Sequence, residues 1–409
     1  MGNLRVGASK VCITPDPSYF PVEHFNNRAT GKPSVFSGVI REDIYLRVVA
    51  VEASSTLLIW AVLDMPGVPE AEGLRALIAE CAGVPERQVM LTCTHNHSGL
   101  YADNPVFERW YGDDFTAKVK RYRLFLREVL PKGVGEAMAA LEPAVMGVGA
   151  CDCFLNVCRN ELELGPDAGT YGFLPGKEAD RTLTAIRFNG ANGNHIATVL
   201  NYPVHACAMI HNNPEGKGTE ISGDFVGYAC CLLEEKDPSS VVMFTSGAAG
   251  DLNPLMMSRV NVPQLDGSIV TKDLGNGGPA ILEFMGSRFA MDAERALAVI
   301  DGYAADVEAR VSEERFMLPH EAVTLPGPPD PVEFIVGVTL LGELGIISSN
   351  GEVFNEIGVR LKSLLPVEYP TMITHAGPWT GYVKDDSGSG LYEVAACNAV
   401  KNDLKAIAS

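Results

Sequence analysis

Three strand-like runs in this sequence end in the same way, on a cluster of polar residues. The run 88–93 leads into Thr94-His95-Asn96-His97-Ser98-Gly99, the run 196–202 into Pro203-Val204-His205, and the run 239–245 into Ser246-Gly247-Ala248-Ala249-Gly250-Asp251. Reactive side chains placed just past strand ends are typical of layered α/β proteins, where a rigid sheet carries loops that do the chemistry. The surrounding pattern agrees with that architecture. Residues 44–51 and 57–63 read as strands joined by 52–56, residues 69–82 as a helix, 115–141 as a helix interrupted at Pro131, and 145–151 and 183–188 as further strands. The implied fold class is α/β, with α+β as the alternative: a layered mixed β-sheet body with flanking helices and its site at the strand ends.

The second half is less regular. The stretch 263–279 is rich in Gly, Asp and Asn and reads as a surface loop or lid, with a disordered insert equally compatible. A helix over 281–300 follows, then a Pro-rich run at 325–331 resembling a linker, strand-like residues 332–348 and a helix over 352–364. Too little chain follows to build a second body, so residues 1–409 are expected to form a single domain. There is ample chain to bury a site.

A net charge of −19 with no Lys/Arg-rich run repels a phosphate backbone or an anionic leaflet, so nucleic acid is excluded as a partner. No basic segment followed by an apolar one opens the chain, and no uncharged apolar stretch reaches the ~20 residues that cross a bilayer. A soluble, cytoplasmic protein without stable membrane insertion is expected, and a homo-oligomer is left open. The ten cysteines are expected to stay reduced. Cys151, Cys153 and Cys158 lack a second Cys-x-x-Cys half, and with Cys230-Cys231 they read as buried thiols.

Eight histidines are present: His24, His95, His97, His195, His205, His211, His320 and His375. His95 and His97 are two apart, so on an extended backbone they face one side, and neutral imidazole is a common zinc ligand. His205 shares their strand-end position, which makes a three-ligand site with an open position conceivable. A hydrogen-bonded ring is the ordinary alternative for each. The glycine-rich turn at 247–250 lacks the Lys-Ser/Thr of a phosphate loop, and Ser98 and Ser222 sit in no Gly-x-Ser-x-Gly elbow. Asp224 and Asp251 suit contacts behind the ligands or turn and helix capping equally well.

Taken together these segments resemble the neutral, non-lysosomal ceramidase family along the whole chain. Thr94-His95-Asn96-His97-Ser98-Gly99 resembles that family's Thr-His-Thr-His-Ser-Gly element, and Val204-His205 its Ala-Val-His element. Ser222-Gly223-Asp224-Phe225-Val226-Gly227-Tyr228 is similar to its Ser-Gly-Asp-x-x-Gly-Tyr helix start, and Gly247 to Pro254 to its Gly-Asp-x-Ser-Pro loop. Gly351-Glu352 with Gly358, Gly381-Tyr382 and Tyr392-Glu393 complete the match. The resemblance implies Zn2+ held by His95, His205, Glu352 and Tyr382, with His97, Arg159 and Tyr392 lining the substrate amide. His97 would shuttle a proton to the leaving amine, while Arg159 and Tyr392 would hydrogen-bond the oxyanion.

Two departures shape the expected function. The family's serine is Asn253 here, and a carboxamide cannot replace a hydroxyl nucleophile, so metal-bound water is expected to attack while Asn253 orients substrate. The sequence also ends at Ser409, soon after Tyr392, so a catalytic domain without a C-terminal immunoglobulin-like domain is expected. A small soluble linear or cyclic amide is therefore the expected substrate. An ester or lactone hydrolase with the same site, or a noncatalytic zinc-binding or ligand-binding homologue, are the alternatives.

Overall fold

The computed structural model describes residues 2–23, 35–102, 113–159, 172–213, 216–320, 331–383 and 390–408; His24 and residues 325–330 of the Pro-rich run lie outside them. Among the described residues, strands and helices form four layers. The largest sheet has eight strands in the order Val241–Ser246, His195–Tyr202, Thr182–Gly190, Glu142–Asp152, Leu4–Cys12, Tyr45–Ala53, Thr56–Leu63, Val89–Cys93. The outermost pair at each edge is parallel and the pairs between are antiparallel. Tyr45–Ala53 is buried at nearly every position, as a strand covered on both faces must be.

The first face is covered by helices. Leu74, Ile78, Tyr122 and Leu126 of Ala71–Ala82 and Asp113–Ala139 pack on Leu46, Val48, Ile59 and Leu63. Phe225, Ala229, Met285 and Phe289 of Asp224–Lys236 and Gly278–Ala298 pack on Leu200, Tyr202 and Phe244. The opposite face buries Val49, Trp60, Phe188 and Val199 against Leu341, Ile346 and Ile373. Those three belong to a four-stranded sheet in the order Ala309–Leu318, Val332–Leu341, Leu344–Ser349, Tyr369–Ile373. Its outer face places Phe334, Val336 and Val338 beneath helices Asn355–Lys362 and Leu391–Ala408. Helix, sheet, sheet, helix is the order of layers, a mixed α/β architecture.

The eight-stranded sheet curls until its edges meet. Val241–Ser246 lies against Val89–Cys93, and past the strand ends Asn96 forms a parallel bridge with Ala206. His97 N donates to Ala206 O at 3.0 Å in the same bridge. The bridge joins two histidine-bearing segments, one past the edge strand Val89–Cys93 and one past His195–Tyr202, the strand next to the other edge.

Four expectations are corrected. Residues 352–364 do not form one helix: Glu352–Val353 is a short strand parallel to Tyr382–Val383, and the helix starts at Asn355. Hydrogen bonds from Glu352 N to Gly381 O and from Gly250 N to Val353 O override local helix preference there. Part of 263–279 is a β-hairpin, Arg259–Pro263 paired with Ile269–Asp273. Asp266-Gly267 is a strong turn signal that the loop reading passed over, and Gly267 has φ 82°. The run 332–348 is two strands folded at Gly342, whose φ is 59°. Pro131 lies inside the continuous helix Asp113–Ala139. All ten cysteines are free, and Cys153, Cys158 and Cys230 are buried. No helix among the described residues is long and apolar enough to cross a membrane.

Candidate metal centre

Past Val89–Cys93 the chain turns sharply, and His95 takes φ 54°. A left-handed conformation costs a residue with a side chain roughly 1–2 kcal/mol, so neighbours must impose it. Thr94 N donates to Leu63 O at 2.9 Å, the Asn96–Ala206 bridge follows, and His95 Nδ1 lies 2.5 Å from Pro66 O. A carbonyl only accepts, so Nδ1 carries the ring proton and Nε2 presents its lone pair. His205 is held in the same way, with Nδ1 2.6 Å from Ala249 O and its backbone N donating to Leu252 O. Asp224 accepts from the backbone N of Ala208 and Met209 just beyond His205, and Asp251 from Asn355 N just beyond Glu352. Both aspartates thus pin the backbone that carries the site.

The two lone pairs meet on one atom. Glu352 Oε2 is 3.3 Å from His95 Nε2 and 3.3 Å from His205 Nε2, while Trp379 Nε1 donates to Glu352 Oε1 at 2.6 Å. His95 Nε2 and Glu352 Oε2 are buried with no hydrogen-bond partner. With the ring protons directed at Pro66 O and Ala249 O, neither neutral ring has a proton to give Glu352 Oε2. Such an arrangement is costly unless a cation occupies the space between them. Two imidazoles and a carboxylate are a zinc-type donor set, and the residues fit it. Only glycine at 250 allows the close packing behind Glu352, since a Cβ there would stand 2.5 Å from Glu352 O.

Tyr382 is brought to the same place by its register opposite Glu352. Its ring stacks on His205 with centroids 6.2 Å apart, and its hydroxyl bonds Arg159 and Glu352. Burial, then the charge of Glu352, pushes this phenol well above its usual range. Burial and then the Arg159 guanidinium bring His205 down to about 3, so its ring is neutral and ligand-ready at ordinary pH. His97 stands edge-on to His95 at 4.8 Å, with Nδ1 2.7 Å from Tyr101 OH. Burial first, then His95 and His205, keep it well below its usual value. His97 also offers a nitrogen within 4.8 Å of those of His95 and His205.

Arg159 follows the short strand Asn156–Cys158, which pairs with Leu252–Pro254 and so sets Arg159 beside the glycine-rich turn. Its Nη2 donates to Gly250 O at 2.7 Å and lies 3.5 Å from His205 Nε2. Asn253 is fully buried: its Oδ1 accepts from Arg159 Nη1 at 3.4 Å, and its Nδ2 donates to Gly172 O at 3.1 Å. Tyr392 stands apart from this group. Its hydroxyl is 2.6 Å from Ser349 Oγ and its ring packs on Phe334 in the core of the second sheet. His195 is tied to Asp237 and Thr198. Trp379, Tyr101 and His375, which touch Glu352, His97 and His95, were assigned no role from the sequence because they leave no local spacing signal.

No protein-family model matches the sequence, and no curated protein does. Among solved structures, the crystal structure of neutral ceramidase from Pseudomonas aeruginosa aligns with a TM-score of 0.71 at 17% identity, covering 98% of this chain and 74% of that one. A ceramidase complexed with C2 aligns at 0.68 and 17%, covering 98% of this chain and 72% of that one. Identity at that level speaks for the fold and leaves the chemistry to the site residues. The chain is built on the neutral ceramidase fold.

Proposed function

We propose that the protein is a zinc-dependent hydrolase that cleaves the C–N bond of a small soluble amide, linear or cyclic. The observation that carries this reading is the buried convergence of His95 Nε2 and His205 Nε2 on Glu352 Oε2 at 3.3 Å each, with His95 Nε2 and Glu352 Oε2 lacking any hydrogen-bond partner. Zinc bound by these residues and Tyr382 would polarise the amide carbonyl and make water a nucleophile near neutral pH. The chain's own residues supply the rest. Arg159, held by Gly250 O and Asn253, is the donor placed for the developing oxyanion. His97, oriented through Nδ1 by Tyr101, is the group to pass a proton to the leaving amine. Tyr392 would join them only by releasing Ser349.

Asn253 spends its carboxamide on Arg159 and Gly172 and offers no nucleophilic oxygen, which leaves water to attack. The ten free cysteines suit a reducing, cytoplasmic setting. The test is metal analysis joined to hydrolysis of matched amides and esters. His95→Ala and His205→Ala should each abolish bound zinc, and His97→Ala should keep zinc and lose turnover. Zinc retained in both ligand variants would sink the metal reading. Faster cleavage of the matched esters would move the activity to esters or lactones, and stoichiometric zinc with no hydrolysis of either would leave a binding protein.

A further inference from the structure

A second group of ligand-type atoms shares His95: Cys93, His95 and His375 lie within 4.8 Å of one another. Its geometry is not that of a second metal site. The rings of His95 and His375 are stacked face to face, with centroids 3.9 Å apart and planes 15° from parallel. Imidazole lone pairs lie in the ring plane, so those of two stacked rings lie in separate, nearly parallel planes and do not converge on one ion as tetrahedral ligands must. The Cys93 thiol is directed elsewhere, donating to Pro66 O at 3.6 Å, the same carbonyl that holds His95 Nδ1.

The backbone under His375 is built for the stack. His375 has φ 58°, a second left-handed histidine facing the first. The turn that imposes it is tied to three segments of the metal centre. Thr92 Oγ1 donates to Thr374 O at 2.8 Å, two residues before Thr94-His95. Thr374 N donates to Ser246 O at 3.0 Å and Thr374 Oγ1 to Gly247 O at 2.8 Å, at the start of the turn that carries Ala249 and Gly250. Ala376 N donates to Ser349 O at 2.9 Å, three residues before Glu352. A ring held only at Nδ1 can still rock about that hydrogen bond. A flat partner across its face removes the motion.

We propose that His375 is a positioning residue that fixes the plane of the His95 ring, so that Nε2 stays aimed at the space beside Glu352 Oε2. The inference rests on the metal reading of the site. Zinc and cobalt affinities, measured by chelator competition on the full-length protein, test it without recourse to activity. His375→Phe keeps a flat face and no ligand nitrogen, and should bind both metals within about threefold of wild type, whereas His375→Leu should bind about tenfold or more weakly, the usual effect of losing an orienting partner. Metal lost equally in His375→Phe would make His375 a ligand and overturn the proposal, even if the Leu variant fails to fold. Affinity unchanged in a folded His375→Leu would overturn it as plain packing. The cobalt protein should lack a thiolate charge-transfer band; a band that disappears in Cys93→Ser would establish the second metal site instead. Wild-type protein that binds neither metal would remove the metal reading itself, and this proposal with it.

Discussion

Asn96 and Ala206 form a single parallel bridge outside any regular strand, and this bridge joins the segment past the edge strand Val89–Cys93 to the segment past His195–Tyr202, which is next to the opposite edge. His95 and His205 flank it, one residue to the N-terminal side of each partner. The bridge therefore sets the separation of the two rings, whose centroids are 4.8 Å apart, before any side chain is chosen. Glu352 and, opposite it in register, Tyr382 then enter from the second sheet's side of the molecule to complete the proposed ligand set.

Gly250 is where that entry is most sensitive. A Cβ at this position would lie 2.5 Å from Glu352 O and 2.7 Å from Phe354 Cδ1. Gly250→Ala should destabilise the fold by about 1–3 kcal/mol, the range for overpacking, and should weaken zinc binding as the Glu352 strand is pushed away. Thermal unfolding and chelator competition would read the two effects, and unchanged values in both would refute the account of this turn.

Trp379 fixes the carboxylate through its 2.6 Å bond to Glu352 Oε1. Trp379→Phe keeps the aromatic bulk and removes the donor, so zinc affinity should fall by about tenfold. Equal affinity in the variant would mean that the carboxylate is oriented by its backbone alone.

Asn253 links Arg159 to Gly172 O. Asn253→Ala leaves buried groups on both sides without this partner and should cost about 1–3 kcal/mol, seen as a lower thermal midpoint. During turnover of the wild-type protein, mass spectrometry should find no acyl group on any side chain. A trapped acyl-enzyme would require a nucleophile other than water.

Glu42 carries a pH dependence that is separable from the metal. Burial raises its carboxyl from 4.5 to about 7, against the opposing hydrogen bond from Ser222. Across that window the folded chain binds this proton more tightly than the unfolded chain, so unfolding free energy falls as pH rises from about 4.5 to about 7. The loss is complete above that range and should be on the order of 3 kcal/mol. Glu42→Gln should flatten this part of the stability profile in denaturant titrations at several pH values. An unaltered slope would contradict the assignment.

The sequence made His95 and His205 visible because each combines a metal-binding side chain with the end of an apolar, β-branched run. Their adjacency was not visible, since it depends on a bridge between segments that follow strands far apart in the sheet order. Glu352 entered only through the ceramidase resemblance, and its surroundings were misread as helix. The bonds that make it a strand come from Gly381 and, through Val353, from Gly250, which no local window contains. Trp379 and His375 gave no signal, because a lone aromatic or histidine has no period. The strand and helix alternation was legible, but the division into two stacked sheets was not, because inward-facing residues of both sheets read alike as apolar runs.

The closing of the sheet also orders events in time. Residues drawn from two distant parts of the large sheet and from beyond the second sheet share no local segment, so a cation would meet the full donor set only after distant parts of the chain have assembled. Pairings of that kind form slowly and pay their loop-closure entropy first. In a zinc finger the ion can organise a short, otherwise unfolded peptide. Here metal uptake would follow the finished topology, and its rate would report when folding is complete.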